Sequence, residues 1–327
     1  MGRLIVHEAV HSAQQRVLAL TDFSAIVWLR LIFVTGLVIV AALTPGFLSA
    51  PSLLALLTTV SFVGCVAVGM TLVTLSGNIM SFSLGATVAA SAVAFVAMLN
   101  AAGLLAGIVA ALAVGALVSA VQGAIIGGLR ANPIIVSIAA LALIHGSLNL
   151  ITANATINAR ADAGHELLQG KMFGLPIEFL VLLVLVAIGQ LLLSYTSFGR
   201  HIYYIGSGLR AAEAVGLRTG WIITGVYFCA GLFTAVAGIL LGLRYNQANM
   251  EYGIGYDYDA ITAILVGGTA IQGGHGSILR TFAGAIFIGT IQVLLLLHGF
   301  RQEWQYLIAG VVVLLVVMLQ TTGRRQA

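Results

Sequence analysis

Hydrophobic residues run along this chain in long uninterrupted stretches, and polar residues gather in short gaps between them. From Leu31 to Leu129 there is no Asp, Glu, Lys or Arg, whereas about 20 mostly apolar residues suffice for one helix to cross a bilayer. A membrane β-barrel would show alternating segments of about 10 residues. Runs such as LLAGIVAALAVGALVSAVQGAII are instead apolar on every face, the pattern of a membrane helix. Gly, Pro and charge punctuation predicts spans near 26–44, 53–75, 84–100, 104–128, 134–152, 175–195, 221–243, 260–272, 281–298 and 304–321. The expected fold is all-α, a polytopic membrane protein of about ten transmembrane helices with broken or re-entrant segments. One transmembrane domain is expected to occupy 1–327, with an amino-terminal cytoplasmic segment over 1–25 and the bundle over 26–321.

Inside the apolar stretches, small residues recur with helical spacing. Gly103, Gly107, Ala111, Gly115, Ser119, Gly123 and Gly127 fall every four residues on the fourth span, and Ala230, Thr234, Gly238 and Gly242 do so on the seventh. Such grooves let two backbones approach closely, and packing within the chain is the expected use. Two other segments interrupt the pattern with Gly, Ser and Asn: LSGNIMSFSLGA (Leu75 to Ala86) and VGGTAIQGGHGS (Val266 to Ser277). One lies in each half of the chain, and paired interruptions point to a substrate route. A tight turn between hairpin helices fits the same residues.

Charge then orients the spans. Only 7% of residues are charged and 60% are hydrophobic, with a net charge of +4. The basic residues are scattered between spans, so they read as topology signals and not as a nucleic-acid patch. With a cytoplasmic amino terminus, Arg3, Arg16, Arg130, Arg200, Arg210, Arg218, Arg280, Arg324 and Arg325 fall inside. Arg160, Lys171, Arg244 and Arg301 fall outside, together with seven acids, Asp162, Glu166, Glu178, Glu251, Asp257, Asp259 and Glu303. This asymmetry predicts both termini in the cytoplasm. Residues 1–20 lack a short apolar core with a cleavage site, so the segment is expected to be retained, lying on the membrane surface. Cys65 and Cys229 sit in apolar stretches and read as small buried hydrophobes.

The chemistry available is sparse. Ionisable groups, which transporters driven by ion gradients place inside the bundle, are nearly absent from the spans. Arg30 can snorkel from a span end, and His145 reads as a satisfied interior histidine. The lone lysine, Lys171 in QGKMFG, lacks the spacing of a phosphate-binding P-loop. The histidines and cysteines show no metal-ligand spacing, and no G-x-S-x-G elbow occurs. No catalytic residue, metal or cofactor is expected, and the chain reads as a conduit powered from outside. IGSGLRAAEAVGLRTG, from Ile205 to Gly220, lies on the cytoplasmic side by this topology and has the propensity of a short helix bounded by glycines. It suits docking in a partner's cleft, although the residues alone slightly favour an ordinary connecting loop.

Several motifs in order, TPGFLS, VGMTLV, NPIIVSIAALALIHG, TSFGRHIYYIGSGLRAAEAVGL and GIGYDYDAITAILVGGTAIQGGHGSILRTFAGAIFIG, resemble the membrane permeases of bacterial ABC importers, specifically the ribose/arabinose/xylose permease family. The resemblance covers about Thr44 to Leu319. It implies a coupling helix, over 205–218, that docks on a cytoplasmic ATP-binding cassette subunit through Gly206, Arg210, Ala211, Ala212, Glu213, Gly216 and Leu217. Two departures stand out. Arg210 occupies the place of a usual acid before the Ala pair, and NIMSFSLG replaces a usual G-I-D-L-S-V-G, with Met80 or Ser81 where Asp would stand.

The same resemblance implies a multi-pass protein of the bacterial inner membrane, acting as permease subunit for a monosaccharide or similar small polar solute. ATP is bound by the partner subunit, a second permease chain completes the path, and an extracytoplasmic solute-binding protein delivers the solute. Asn78, Ser81, Ser83, Asn132, Asp259 and Thr269 are the expected translocation-path residues, and Glu251, Asp257 and Asp259 the expected external docking surface or gate. A permease for branched-chain amino acids, nucleosides or autoinducer-type solutes would share these features. An ATP-independent secondary transporter and a membrane enzyme are the remaining classes, the latter weakest for want of a polar cluster.

Overall fold

The computed structural model describes residues 35–314 apart from 38, 79, 161–170, 173, 302, 306, 309, 312 and 313. The segment 1–25 and most of the expected last span lie outside the described residues. The chain divides into two compact units, Met1–Ser49 with Ile291–Ala327, and Ala50–Thr290. In the first, the described residues of 35–43 are helical. The second carries the candidate site.

The named helices are α1 (Ala50–Leu75), α2 (Leu84–Ala102), α3 (Leu104–Leu129), α4 (Pro133–Thr152), α5 (Ile177–Tyr195), α6 (Ser197–Ser207), α7 (Leu209–Ala214), α8 (Thr219–Tyr245), α9 (Tyr256–Val266) and α10 (Ile278–Leu297). Among the described residues, seven are long and apolar enough to cross a membrane: α1, α2, α3, α4, α5, α8 and α10. Among the described residues strand is confined to two-residue pieces, with Ile157–Asn158 pairing antiparallel to Gln247–Ala248, and Lys171–Met172 to Leu175–Pro176. The expected span over 260–272 is corrected. Its helix, α9, ends at Val266 and has 11 residues, a rise of about 16 Å against the roughly 30 Å of a hydrocarbon core.

Local chemistry sets several boundaries. Asn132 caps α4, its side chain accepting the Ile134 N–H at 2.9 Å with Pro133 in the first turn, where a missing N–H costs nothing. Thr196 does the same for α6, accepting from Gly199 at 3.0 Å.

The four-residue spacing of small residues becomes the α3–α8 contact. Gly115 faces Gly231 and Ala235, Gly123 faces Thr224 and Tyr227, and Gly127 faces Gly220. A Cβ added at these sites would run into the neighbouring helix, and such overpacking costs about 1–3 kcal/mol. The opposite face of α3 exposes Leu105, Val109, Leu117, Val121, Ile125 and Leu129, the apolar stripe of a helix with lipid on that side. Gly238 of α8 packs on Val88 and Ala92 of α2, and Gly242 on Phe95 and Val96, so those two helices run parallel. This register puts Leu84, where α2 starts, level with Thr234, near the middle of the 27-residue α8. Helix α2 therefore starts deep in the bundle.

Candidate functional site

The two Gly-rich interruptions come together. The first lies between α1 and α2, the second between α9 and α10, and the Gly274 N–H donates to the Leu75 carbonyl at 3.0 Å. Gly273 lies against Gly77 and the Thr74 carbonyl. Gly77, Gly273 and Gly274 have φ of 78°, 87° and 73°, a region in which a side chain would be strained. A third segment enters the same point. Gly206, near the end of α6, sits against both the Leu75 carbonyl and Gly274. Tyr203 of α6 adds a hydrogen bond to the Gly276 carbonyl at 2.9 Å, and burial pushes its phenol above the ordinary value, which keeps it a donor. At the junction Gly273 and Gly274 are buried, while Gly77, Gln272 and His275 remain exposed.

From the junction, Ser76–Ser83 leads to the start of α2. Asn78 donates to Ser76 Oγ at 2.9 Å, Ser81 and Ser83 hydroxyls lie 3.1 Å apart, and Ser83 donates to Gln122 Oε1 of α3 at 2.6 Å. Asn78, Ser81, Ser83 and Thr269 are all buried, and Thr269 lies against Gly276 within the second interruption. Asn132 stands apart from this set, exposed at the start of α4.

Of the three acids expected at an external docking surface or gate, Glu251 alone is exposed. Asp257 and Asp259 are buried, at 8% and 5% accessibility. The reason for Asp257 is specific: it lies in the first turn of α9 and its Oδ1 accepts the Gly85 N–H of α2 at 2.8 Å. The carboxylate satisfies an otherwise orphaned donor at the start of one helix while standing at the start of another.

The segment expected to couple splits in two. Arg210, Ala211 and Gly216 are exposed, on and just after α7. Ala212 faces inward at 3% accessibility, and Leu217 is half-buried, its N–H bonded to the Ala212 carbonyl. Glu213 also turns back: its carboxylate takes Arg130 Nη2 at 2.8 Å and the Thr219 hydroxyl at 3.2 Å. Gly206 belongs to the junction. Both α7 and the junction are thus reached from one continuous piece of chain, α6–α7.

A family model described as branched-chain amino acid transport system / permease component matches residues 52–317. The chain belongs to this permease family. The permease is 35% identical to the ribose import permease protein of Bacillus subtilis (strain 168), over 86% of this chain and 88% of that relative. It is 34% identical to the autoinducer 2 import system permease protein of Klebsiella pneumoniae, over 89% of this chain and 84% of the relative. With the ribose import permease protein of Escherichia coli (strain K12) it shares 30% identity over 86% and 89%. No solved structure matches the permease.

Three polar contacts of the permease escape a reading by motif. Gln122 is the one amide in the apolar run of α3, a signal that it needs a buried partner, which is Ser83. Arg130 and Glu213 are 83 residues apart in sequence. Glu178, in the first turn of α5 with no side-chain exposure, pairs at 2.7 Å with Arg244 in the last turn of α8.

Proposed function

We propose that this chain forms the translocation path of an ABC importer for a monosaccharide or similarly small polar solute, with ATP bound by a separate cytoplasmic subunit. The carrying observation is the junction at Gly206, where α6 touches both helix interruptions at once, in a chain similar to ribose import permeases over most of its length. Closure of an ATPase pair would push on the exposed face of α7. Because α7 follows α6 after the single residue Gly208, the push reaches Leu75, Gly77 and Gly274. The interrupted helices α2 and α9 start beside each other through Asp257 and Gly85, so they move together. Interfaces packed this tightly switch between discrete arrangements instead of deforming smoothly.

Both termini in the cytoplasm of a bacterial inner membrane complete this reading, supported by the distribution of basic residues. A second permease chain shares the path, and an extracytoplasmic solute-binding protein supplies the solute and most of the selectivity. Asn78, Ser81, Ser83, Asp259 and Thr269 face the path only when the junction opens, and Asn132 lines its cytoplasmic mouth. The Klebsiella relative favours one second reading, an autoinducer 2 solute carried by the same machinery.

The test is import into proteoliposomes holding this chain with its ATP-binding subunit. Uptake of D-ribose that needs both ATP on the cytoplasmic side and a solute-binding protein on the other is the expected result. Uptake without ATP would contradict the reading.

A further inference from the structure

A cavity of about 440 Å3 opens between α4, the start of α2 and the loop that leads into α9, within the range of about 300–1,000 Å3 usual for small-molecule sites. Phe82, His145, Asp257 and Tyr258 contribute to its wall, with Ile138 at its exposed side. Asp257 is fixed by the Gly85 and Leu84 N–H groups, which use two of the roughly four lone-pair sites of a carboxylate. His145 comes from α4, a different wall, and brings one nitrogen that donates and one that accepts when neutral. Neither aromatic ring nor imidazole is needed to explain the α3–α8 packing or the junction.

The wall selects among solutes by what it lacks. Among the described residues no Lys or Arg lines it, so an amino acid's carboxylate or a phosphate would meet no cation from them. A purely apolar solute would leave Asp257 and His145 without new partners as they lost water, at the cost of unpaired polar groups. A neutral ring edged with hydroxyls fits both kinds of wall: hydroxyls to the carboxylate and imidazole, C–H faces to Phe82 and Tyr258. We infer that this cavity is a waypoint for a neutral polyhydroxylated ring, held by Asp257 and His145 and packed on Phe82 and Tyr258. The inference rests on the importer reading above and names the residues its solute meets. Two polar partners, and no closed cage, suit a site that must release what it binds.

The test uses the assembled importer in proteoliposomes. In a Cys65→Ala, Cys229→Ala background, Ile138→Cys places one thiol at the cavity, and labelling by a small methanethiosulfonate reagent is timed during turnover. D-Ribose with the solute-binding protein should slow labelling at least about fivefold, the effect of a site mostly occupied; L-leucine should not. Adding Asp257→Asn, which keeps an acceptor for Gly85 but loses the charge, should remove most of the protection. Import of D-ribose with equal labelling in all conditions overturns the cavity alone. Protection that survives both Asp257→Asn and His145→Ala overturns the residue assignment. Import of L-leucine and not D-ribose, with L-leucine protecting, overturns the sugar reading itself.

Discussion

Asp257 and Gly85 join the starts of two helices that lie 172 residues apart in the sequence, through a 2.8 Å hydrogen bond from the Gly85 N–H to the Asp257 carboxylate. The bond sits where α2 begins deep in the bundle and where α9, too short to span, also begins. Removing the acceptor leaves a buried helix-end donor unpaired, a loss of about 1 kcal/mol or more. Asp257→Ala should therefore lower the thermal midpoint of the purified complex by several degrees, and Asp257→Asn by clearly less, measured by dye-reported unfolding in detergent. Equal midpoints for both variants would remove the capping role.

Gly206 predicts a sharp contrast with its neighbour Gly208. A Cβ at Gly206 would meet the Leu75 carbonyl and Gly274, whereas at Gly208 it would meet only the Ala211 methyl, at 3.6 Å, in an extended backbone with φ 176°. Gly206→Ala should cut import at least about tenfold, the kinetic equivalent of modest overpacking at a moving junction. Gly208→Ala should stay within about twofold of native, since ordinary contact distance costs little. Both are read as solute uptake per assembled complex.

The Arg130–Glu213 pair holds α7 against the end of α3, yet the Arg130 side chain is 73% exposed. Exposed pairs are worth about 0–1 kcal/mol. Arg130→Ala should leave the thermal midpoint nearly unchanged and weaken binding of the ATP-binding subunit, because α7 loses its anchor. The exchanged pair Arg130→Glu with Glu213→Arg should recover most of that binding, measured by pull-down over a range of subunit concentrations.

Glu178 and Arg244 predict the opposite balance. Glu178 is fully buried and Arg244 is its partner at 2.7 Å. Arg244→Ala strands a buried charge, which costs about 3–5 kcal/mol, so the complex should unfold at much lower temperature or fail to assemble. Glu178→Gln combined with Arg244→Met should restore assembly, because replacing both members removes the stranded charge.

The seven helices of spanning length among the described residues and the α3–α8 groove were legible in the sequence because both depend on composition and period alone. Gly115, Gly123 and Gly127 needed only four-residue spacing to be read as a packing face. The half-helix α9 was not legible, since AITAILV has the same hydropathy in half a span as in a whole one. Asp257 reads in the sequence as part of an external docking surface or gate, because the distribution of basic residues places its loop outside. Its burial depends on a backbone donor from the far half of the chain, the Gly85 N–H, which no local pattern contains. The same holds for Glu213: as a charge in a short exposed helix it reads as a docking residue, and only the fold turns it toward Arg130 and Thr219. Arg210 and Ala211, by contrast, lie on the surface as their polarity and size allowed.

The most direct measurement is co-purification of the ATP-binding subunit with this chain, comparing native protein with Arg210→Glu and Ala211→Trp. Both sites are exposed on α7 and neither contacts the junction, so folding should be spared. Stoichiometric ATPase with the native chain, and its loss from both variants at unchanged thermal midpoint, is the predicted result. ATPase that binds the variants as well as the native chain would place docking elsewhere and contradict the account.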